Sequence, residues 1–303
     1  MIVLSKIKKD LRKYKLLYLM ILPVILYYIL FCYVPMYGVL FSFMDYDPMV
    51  GFFESSWVGF KHFKNFFDNI YFGRLIKNTF IIGFSNILFG FPAPIIFALL
   101  LNEIKYKKFT RPIQTIAYLP HFVSLVVLCG MIKSFLGSSG FITQILQSAG
   151  VAEGSLLVNP EAFVPIYVLS GIWQTMGWDA IIYISALGSI DQQLYEAAEI
   201  DGAGKFRQLF AVTLPGILPT IIVMLILRMG TVVNVGYEKI ILLYNDATLL
   251  TADVISSFVY RKGLQEMNWS YSTAIGVFNS IINIVFIVVT NKICKKLTNE
   301  SLW

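Results

Sequence analysis

Apolar residues fall in long blocks along this chain, and the blocks predict its architecture. Six stretches, 16–40, 78–101, 113–136, 162–188, 214–236 and 273–293, are dominated by Leu, Ile, Val and Phe. A helix of about 20 apolar residues crosses the hydrocarbon of a bilayer. The short alternating segments that build a closed membrane barrel are missing. The pattern therefore predicts an all-α polytopic membrane bundle of six transmembrane helices, one domain over residues 1–303. Prolines fall inside several of the stretches, at Pro23, Pro35, Pro92, Pro94, Pro215 and Pro219. In a membrane helix they mark kinks, because neighbouring groups can satisfy the freed carbonyls. The first stretch follows a basic segment but is too long for a cleaved signal, and it reads as a retained span.

Charge orients the bundle. Charged residues make up 14% of the chain, well below the roughly 25% of a soluble domain. The net charge is +6. In a soluble protein that would raise nucleic acid as a partner; here the cations sort by loop. The N-terminus, 102–112, 189–213 and the C-terminal tail hold fifteen Lys and Arg, against seven in the alternate loops. The positive-inside rule then places both termini and 189–213 in the cytoplasm of a bacterial plasma membrane. The outer loops are longer and carry turn pairs such as Asp47-Pro48 and Asn159-Pro160, a docking surface for an external partner. Cys32, Cys129 and Cys294 lie far apart and read as free thiols. His62 and His121 lack any partner motif. No metal-ligand spacing and no catalytic cluster is present.

The cytoplasmic segment 189–219 reads SIDQQLYEAAEIDGAGKFRQLFAVTLPGILP. Good helix formers run from Gln192, with Ser189 and Gln192 spaced as a capping box and Asp191 as a competing cap. The helix is expected over about 192–206. Ala198 and Gly202, four apart, would share a bare face. Lys205 and Arg207 would sit at the negative end of the helix dipole, and Pro215 would suit the first turn of the next span. Composition alone leaves two readings: an amphipathic helix resting on the membrane, or an element on which another protein docks.

The string Glu196-Ala197-Ala198, then Asp201-Gly202-Ala203, then Leu214-Pro215 and Pro219 resembles the EAA loop of binding-protein-dependent ABC importers. PVILYYILFCYVPMYG near the start, WVGFKHFKNFF at 57–67, NEIKYKKFTRPIQTIAYLPHFVS at 102–124, GIWQTMGWDAIIYISALGSID at 171–191, YRKGLQEMNWSYSTAIGVFNSIINIVF at 260–286 and the ending Ser301-Leu302-Trp303 are similar to the carbohydrate-type permeases of the LplB-like polysaccharide and oligosaccharide branch. The resemblance implies a type I importer permease of MetI-like fold. It implies pairing with a second homologous permease, two cytoplasmic ATPases, an extracellular sugar-binding lipoprotein and an oligosaccharide substrate. Glu196, Ala197, Ala198, Asp201, Gly202 and Gly204 would dock on an ATPase, with Leu214 and Pro215 setting the return into the fifth span. This chain would hold no cofactor, ATP and Mg being bound by the ATPases. Consistently, it has no phosphate loop: Gly204-Lys205 is followed by Phe206, not Ser or Thr.

Polar groups inside the spans are the candidate substrate site, since charges there are expensive. Arg228 and Asp179 are close enough in expected depth to form a buried pair; alternatively Arg228 faces a cavity and binds sugar hydroxyls or a uronate. Asn279 and Asn283 share a face and would either glue helices or bind sugar. Trp173, and less so Trp178 and Tyr183, would either anchor and pack or stack on a sugar ring. An ion-coupled secondary transporter would show inverted repeats and discontinuous helices, and a channel would show a filter. The sequence displays neither, and an EAA helix has no use in either.

Overall fold

The computed structural model describes residues 13–104, 106–151, 154–298 and 301–302. Lys6, Lys8, Lys9, Arg12, Lys105 and Trp303 therefore lie outside the described residues. Helices dominate, as the apolar blocks require. The exception is one antiparallel pair of two-residue strands, β1 (Met44–Asp45) and β2 (Ser56–Trp57), with Met44 opposite Trp57. Five stretches are long and apolar enough to cross a membrane: Lys15–Phe43, Phe72–Asn102, Leu125–Ser148, Lys205–Met229 and Trp269–Thr298. The helix Phe163–Gly188 has the length as well, and its middle is more polar, with Gln174, Thr175 and Asp179.

Prolines bend these helices without breaking them, and the mechanism repeats. The helix widens into a π turn over Tyr28–Tyr33 before Pro35, over Asn86–Gly90 before Pro92, and over Leu209–Thr213 before Pro215. Proline has no N–H and its ring crowds the carbonyl four residues back. A wider turn relieves both defects locally.

Two columns do break, at places the apolar pattern did not mark. The third was expected as one helix over 113–136. It consists of Lys107–Tyr118, a 3₁₀ turn Leu119–Phe122 and then Leu125–Leu136, capped by Ser124 Oγ accepting from Val127 N. Packing shows that these pieces form one column beside Phe163–Gly188. A Cβ on Gly177 would lie 2.1 Å from the Ala117 carbonyl oxygen. Gln174 Nε2 donates to the Val123 carbonyl in the break at 3.1 Å, and Leu128 and Cys129 share a core with Tyr167. The fifth column was expected over 214–236. It starts earlier, at Lys205, and stops at Met229. A turn at 230–236 follows, then a short helix Tyr237–Leu243.

The turn at 230–236 sits in the middle of the bundle. Val232 packs against Gly83, where an added Cβ would lie 2.3 Å from the Val232 carbonyl oxygen; Gly83 is near the centre of Phe72–Asn102. Asn279 and Asn283, near the centre of Trp269–Thr298, both donate to Asn234 Oδ1, at 2.8 and 2.9 Å. Non-helical backbone survives at this depth only when protein surrounds it or it lines a cavity. The expected 36-residue outer loop after the fifth span is therefore largely folded: Lys239, Ile240 and Leu243 are buried, as are Asp253, Val254 and Ile255. Asp253, with its side chain fully buried, takes Arg261 Nη2 at 2.7 Å and Arg74 Nη2 at 3.2 Å.

The first column stands apart. Every described residue through Tyr37 is exposed, and burial begins only toward its end, at Ser42 and then Met44. There Val34–Phe43 meets the sixth column.

Candidate functional site: a docking helix and a mid-membrane cavity

Two places bring the candidate residues together, one at the end of the bundle that carries 189–213 and one at its centre. At that end the helix is Gln192–Ile200, shorter than the expected 192–206. Its cap is Asp191, whose Oδ1 accepts from Gln193 N at 2.9 Å. Ser189 bonds backward to the Ala186 carbonyl, so the capping box does not form. The helix ends in a Schellman arrangement: Ala203 N donates to Ala198 O at 2.8 Å and Gly202 N to Glu199 O at 3.0 Å. Gly202 has φ +72°. Its role is thus to supply a left-handed residue, and it lies beyond the helix rather than on a shared face with Ala198. Gly204 is the cap of the next helix, which begins at Lys205. Lys205 and Arg207 accordingly belong to the start of the fifth column, where Lys205 Nζ lies 3.5 Å from Glu103. The return into that column is set at 201–204, not at Leu214 and Pro215, which sit within an already running helix.

Glu196, Ala197, Asp201, Gly202 and Gly204 are exposed and Ala198 half-buried. The helix is nevertheless tied to the fifth column. Tyr195 hydroxyl lies 3.0 Å from Thr213 Oγ1, and buried Gln208 donates Nε2 to the Ala203 carbonyl at 3.0 Å. A force on the exposed face has a hydrogen-bonded path into the column. Tyr195, Gln208 and Thr213 were not picked out from the sequence. Each is an ordinary polar residue until the chain returns on itself.

At the centre, the break in the fifth column opens a cavity of about 260 Å³ lined by Asn86, Tyr167, Gln174, Arg228, Asn234 and Lys239 among others. Arg228 is the penultimate residue before the break. Among the described residues it makes no ion pair with Asp179, which does not line this cavity. Lys239, counted from sequence among the outer-loop cations, is buried, and its Nζ donates to the Tyr167 carbonyl at 2.8 Å. Asn279 and Asn283 brace the turn through Asn234 and do not line the cavity. Trp173 is exposed on the bundle surface, Trp178 stacks on His121 at 4.4 Å between ring centroids, and Tyr183 is buried in the core with Ala98, Ala180 and Ile217.

The opposite end of the bundle holds a third feature, an open cavity of about 780 Å³ whose lining includes Asp45, Asp47, Glu54, Lys61 and His62. His62 is buried, with Nε2 2.9 Å from Asp45 Oδ1 and 3.2 Å from the Met44 carbonyl. Lys61 donates to Asp45 Oδ2 at 2.7 Å, and this bond holds the Asp45 carboxyl below the usual carboxylate range.

An all-helical bundle with a capped cytoplasmic helix tied into one of its columns, and a central cavity at a broken column, defines a membrane permease worked from outside the chain. Residues 90–298 match the family of binding-protein-dependent transport system inner membrane components, and the chain belongs to that family. It is 43% identical to protein LplB of Bacillus subtilis (strain 168) over 99% of this chain and 93% of that protein. It is 41% identical to the polygalacturonan/rhamnogalacturonan transport system permease protein YteP of the same organism, over 95% and 90%. It superposes with TM-score 0.89 and 41% identity on a chain of a crystallised bacterial ABC transporter involved in import of the acidic polysaccharide alginate, over 97% and 99% of the two chains. This chain is a multi-pass inner-membrane permease subunit of an ABC importer and is non-catalytic.

Proposed function

We propose that this permease carries oligosaccharides or polysaccharide fragments through the central cavity, paired with a second homologous permease and driven by two cytoplasmic ATPases that bind ATP and Mg. An extracellular sugar-binding lipoprotein delivers the substrate to the outer face, and both termini lie in the cytoplasm. The carbohydrate class is supported by the likeness, along nearly the whole chain, to the polygalacturonan/rhamnogalacturonan permease and the alginate transporter. A related structure of the alginate transporter includes an alginate pentasaccharide-bound periplasmic protein, which supports the external partner.

The observation that carries the coupling is the exposed helix Gln192–Ile200, closed at both ends and bonded to the fifth column through Tyr195 and Gln208. Glu196, Ala197, Ala198, Asp201 and Gly202 form the ATPase-facing surface. ATP-driven closure of the ATPases moves this helix, and the rigid column passes the motion to the turn at 230–236. The second permease packs along the first column, whose described residues are largely apolar and are exposed through Tyr37. Glu196→Lys tests the coupling: in proteoliposomes holding the complete importer, ATP-dependent oligosaccharide uptake should fall at least tenfold while the two permeases still co-purify. Unchanged uptake would remove this helix from the mechanism.

A further inference from the structure

Arg228 and Lys239 line one cavity, and no carboxylate lines it with them. The elements around it bring neutral groups only: Asn86, Ile87 and Gly90 from the second column, Gly171, Gln174 and Thr175 from the fourth, and Thr231, Val232 and Asn234 from the turn. Elsewhere in this chain half-buried cations are matched: Arg74 and Arg261 share the fully buried carboxylate of Asp253. Lys239 is 6% exposed, and its ammonium donates to the Tyr167 backbone carbonyl and lies over the Tyr167 ring at 4.5 Å. An ammonium has three protons to donate. Gly171 keeps the space beside it open: an added Cβ would come within 3.5 Å of Nζ.

Lys239 is a buried cation with no carboxylate partner among the described residues, and Arg228, which is exposed, lines the same cavity; charges retained within a membrane bundle are costly and mark substrate paths. An anion entering the cavity would remove that cost and gain hydrogen bonds to charged donors, which are stronger than neutral ones. The space suits one sugar ring: about 260 Å³ is below the roughly 300–1,000 Å³ that encloses a whole drug-sized ligand. Asn86, Gln174 and Asn234 supply amides for ring hydroxyls.

We propose that Lys239 and Arg228 form a carboxylate-binding subsite, so that this permease selects uronate-bearing oligosaccharides one ring at a time at the break in its fifth column. The inference rests on the reading of the chain as an oligosaccharide importer permease. Lys239 and Arg228 touch the carboxylate; Asn279 and Asn283 position the turn that presents it.

The test uses the complete importer in proteoliposomes, with a galacturonate trisaccharide and its methyl ester as paired substrates. The quantity read is the ratio of KM for ester to KM for acid. Any preference of the binding protein is common to all permease variants, so a change in this ratio on mutation reports the permease alone. In Lys239→Met the ratio should drop at least about tenfold, the loss expected for one charge-assisted hydrogen bond. Lys239→Arg should keep it, and Arg228→Met should lower it as Lys239→Met does. An unchanged ratio in both methionine variants overturns the subsite, as does failure of both to assemble with the partner subunits, which would assign the cations to folding. Failure of the unmodified importer to move either trisaccharide or any other oligosaccharide would instead overturn the importer reading.

Discussion

The docking helix and the turn at 230–236 are both short interruptions between long apolar helices, and they are held by opposite kinds of information. The docking helix is closed by neighbours in sequence: Asp191 caps one end and Gly202, at φ +72°, closes the other. The turn has short-range bonds, such as Asn234 N to the Thr231 carbonyl at 2.9 Å and Thr231 Oγ1 to the Arg228 carbonyl at 3.1 Å, but no left-handed residue to close it. Gly230 and Gly236, which flank it, have φ of −65° and −59°, values any residue adopts. It is fixed from afar, by Gly83 under Val232, by Asn279 and Asn283 on Asn234, and by Tyr167 under Lys239. The proposed motor-facing helix is thus built from local rules, and the proposed substrate-facing turn from the packing of four columns.

The comparison can be broken most forcefully at Gly83. A side chain there meets the Val232 backbone rather than a flexible tip, so Gly83→Leu must displace the turn. Overpacking of this kind costs about 1–3 kcal/mol or more. Thermal unfolding of the purified complex should shift to lower temperature and uptake should be lost, with the docking helix untouched. If Gly83→Leu transports normally, the turn is not held by remote packing. Gly202→Val probes the other region. Forcing a β-branched residue into the left-handed region costs about 1–2 kcal/mol, and uptake should fall several-fold at unchanged complex stability. Gly202→Asn should be tolerated, because Asn accepts this conformation; equal damage from Asn and Val would mean that space, not backbone angle, selects glycine. The smallest effect is expected from Tyr195→Phe, which deletes the hydroxyl contact to Thr213. One hydrogen bond contributes about 0.5–1.5 kcal/mol, so the ATP consumed per sugar should rise modestly while ATPase binding stays intact. A normal ratio would route the force elsewhere.

The same contrast explains what could be read from the chain alone. Apolar blocks, loop cations and the spacing from Glu196 to Pro219 are local or additive signals, and they led to an all-helical importer permease. The docking helix ends six residues before the expected 206: Gly202 and Gly204 are legible as helix-ending glycines, but a small face shared by Ala198 and Gly202 requires the helix to continue, and the left-handed Gly202 forbids it. The break at 119–124 had a local hint in Pro120, yet an apolar tally runs straight through it. The break at 230–236 had less: Thr231-Val232-Val233-Asn234-Val235 reads as β-branched helix in a membrane, and the contacts that hold it as a turn come from far along the chain, Gly83 some 150 residues earlier and Asn279 and Asn283 well after it. Lys239 followed from that error. Once the fifth column was run to 236, a lysine just past it looked like a loop cation.

The first column, unburied from Lys15 to Tyr37 and joined to its bundle only near Ser42 and Met44, has a consequence for how such permeases diversify. Apolar contact with lipid and with another helix are nearly equivalent in a membrane, so recognition between helices depends on shape. Here the shape is an aromatic ridge in which Tyr27 lies 5.9 Å from Tyr28 and 5.4 Å from Phe31, ring centre to ring centre. On the proposed pairing, partner choice and substrate choice are written in separate stretches of the chain, so exchange of the first stretch would bring a new companion subunit and leave the sugar unchanged.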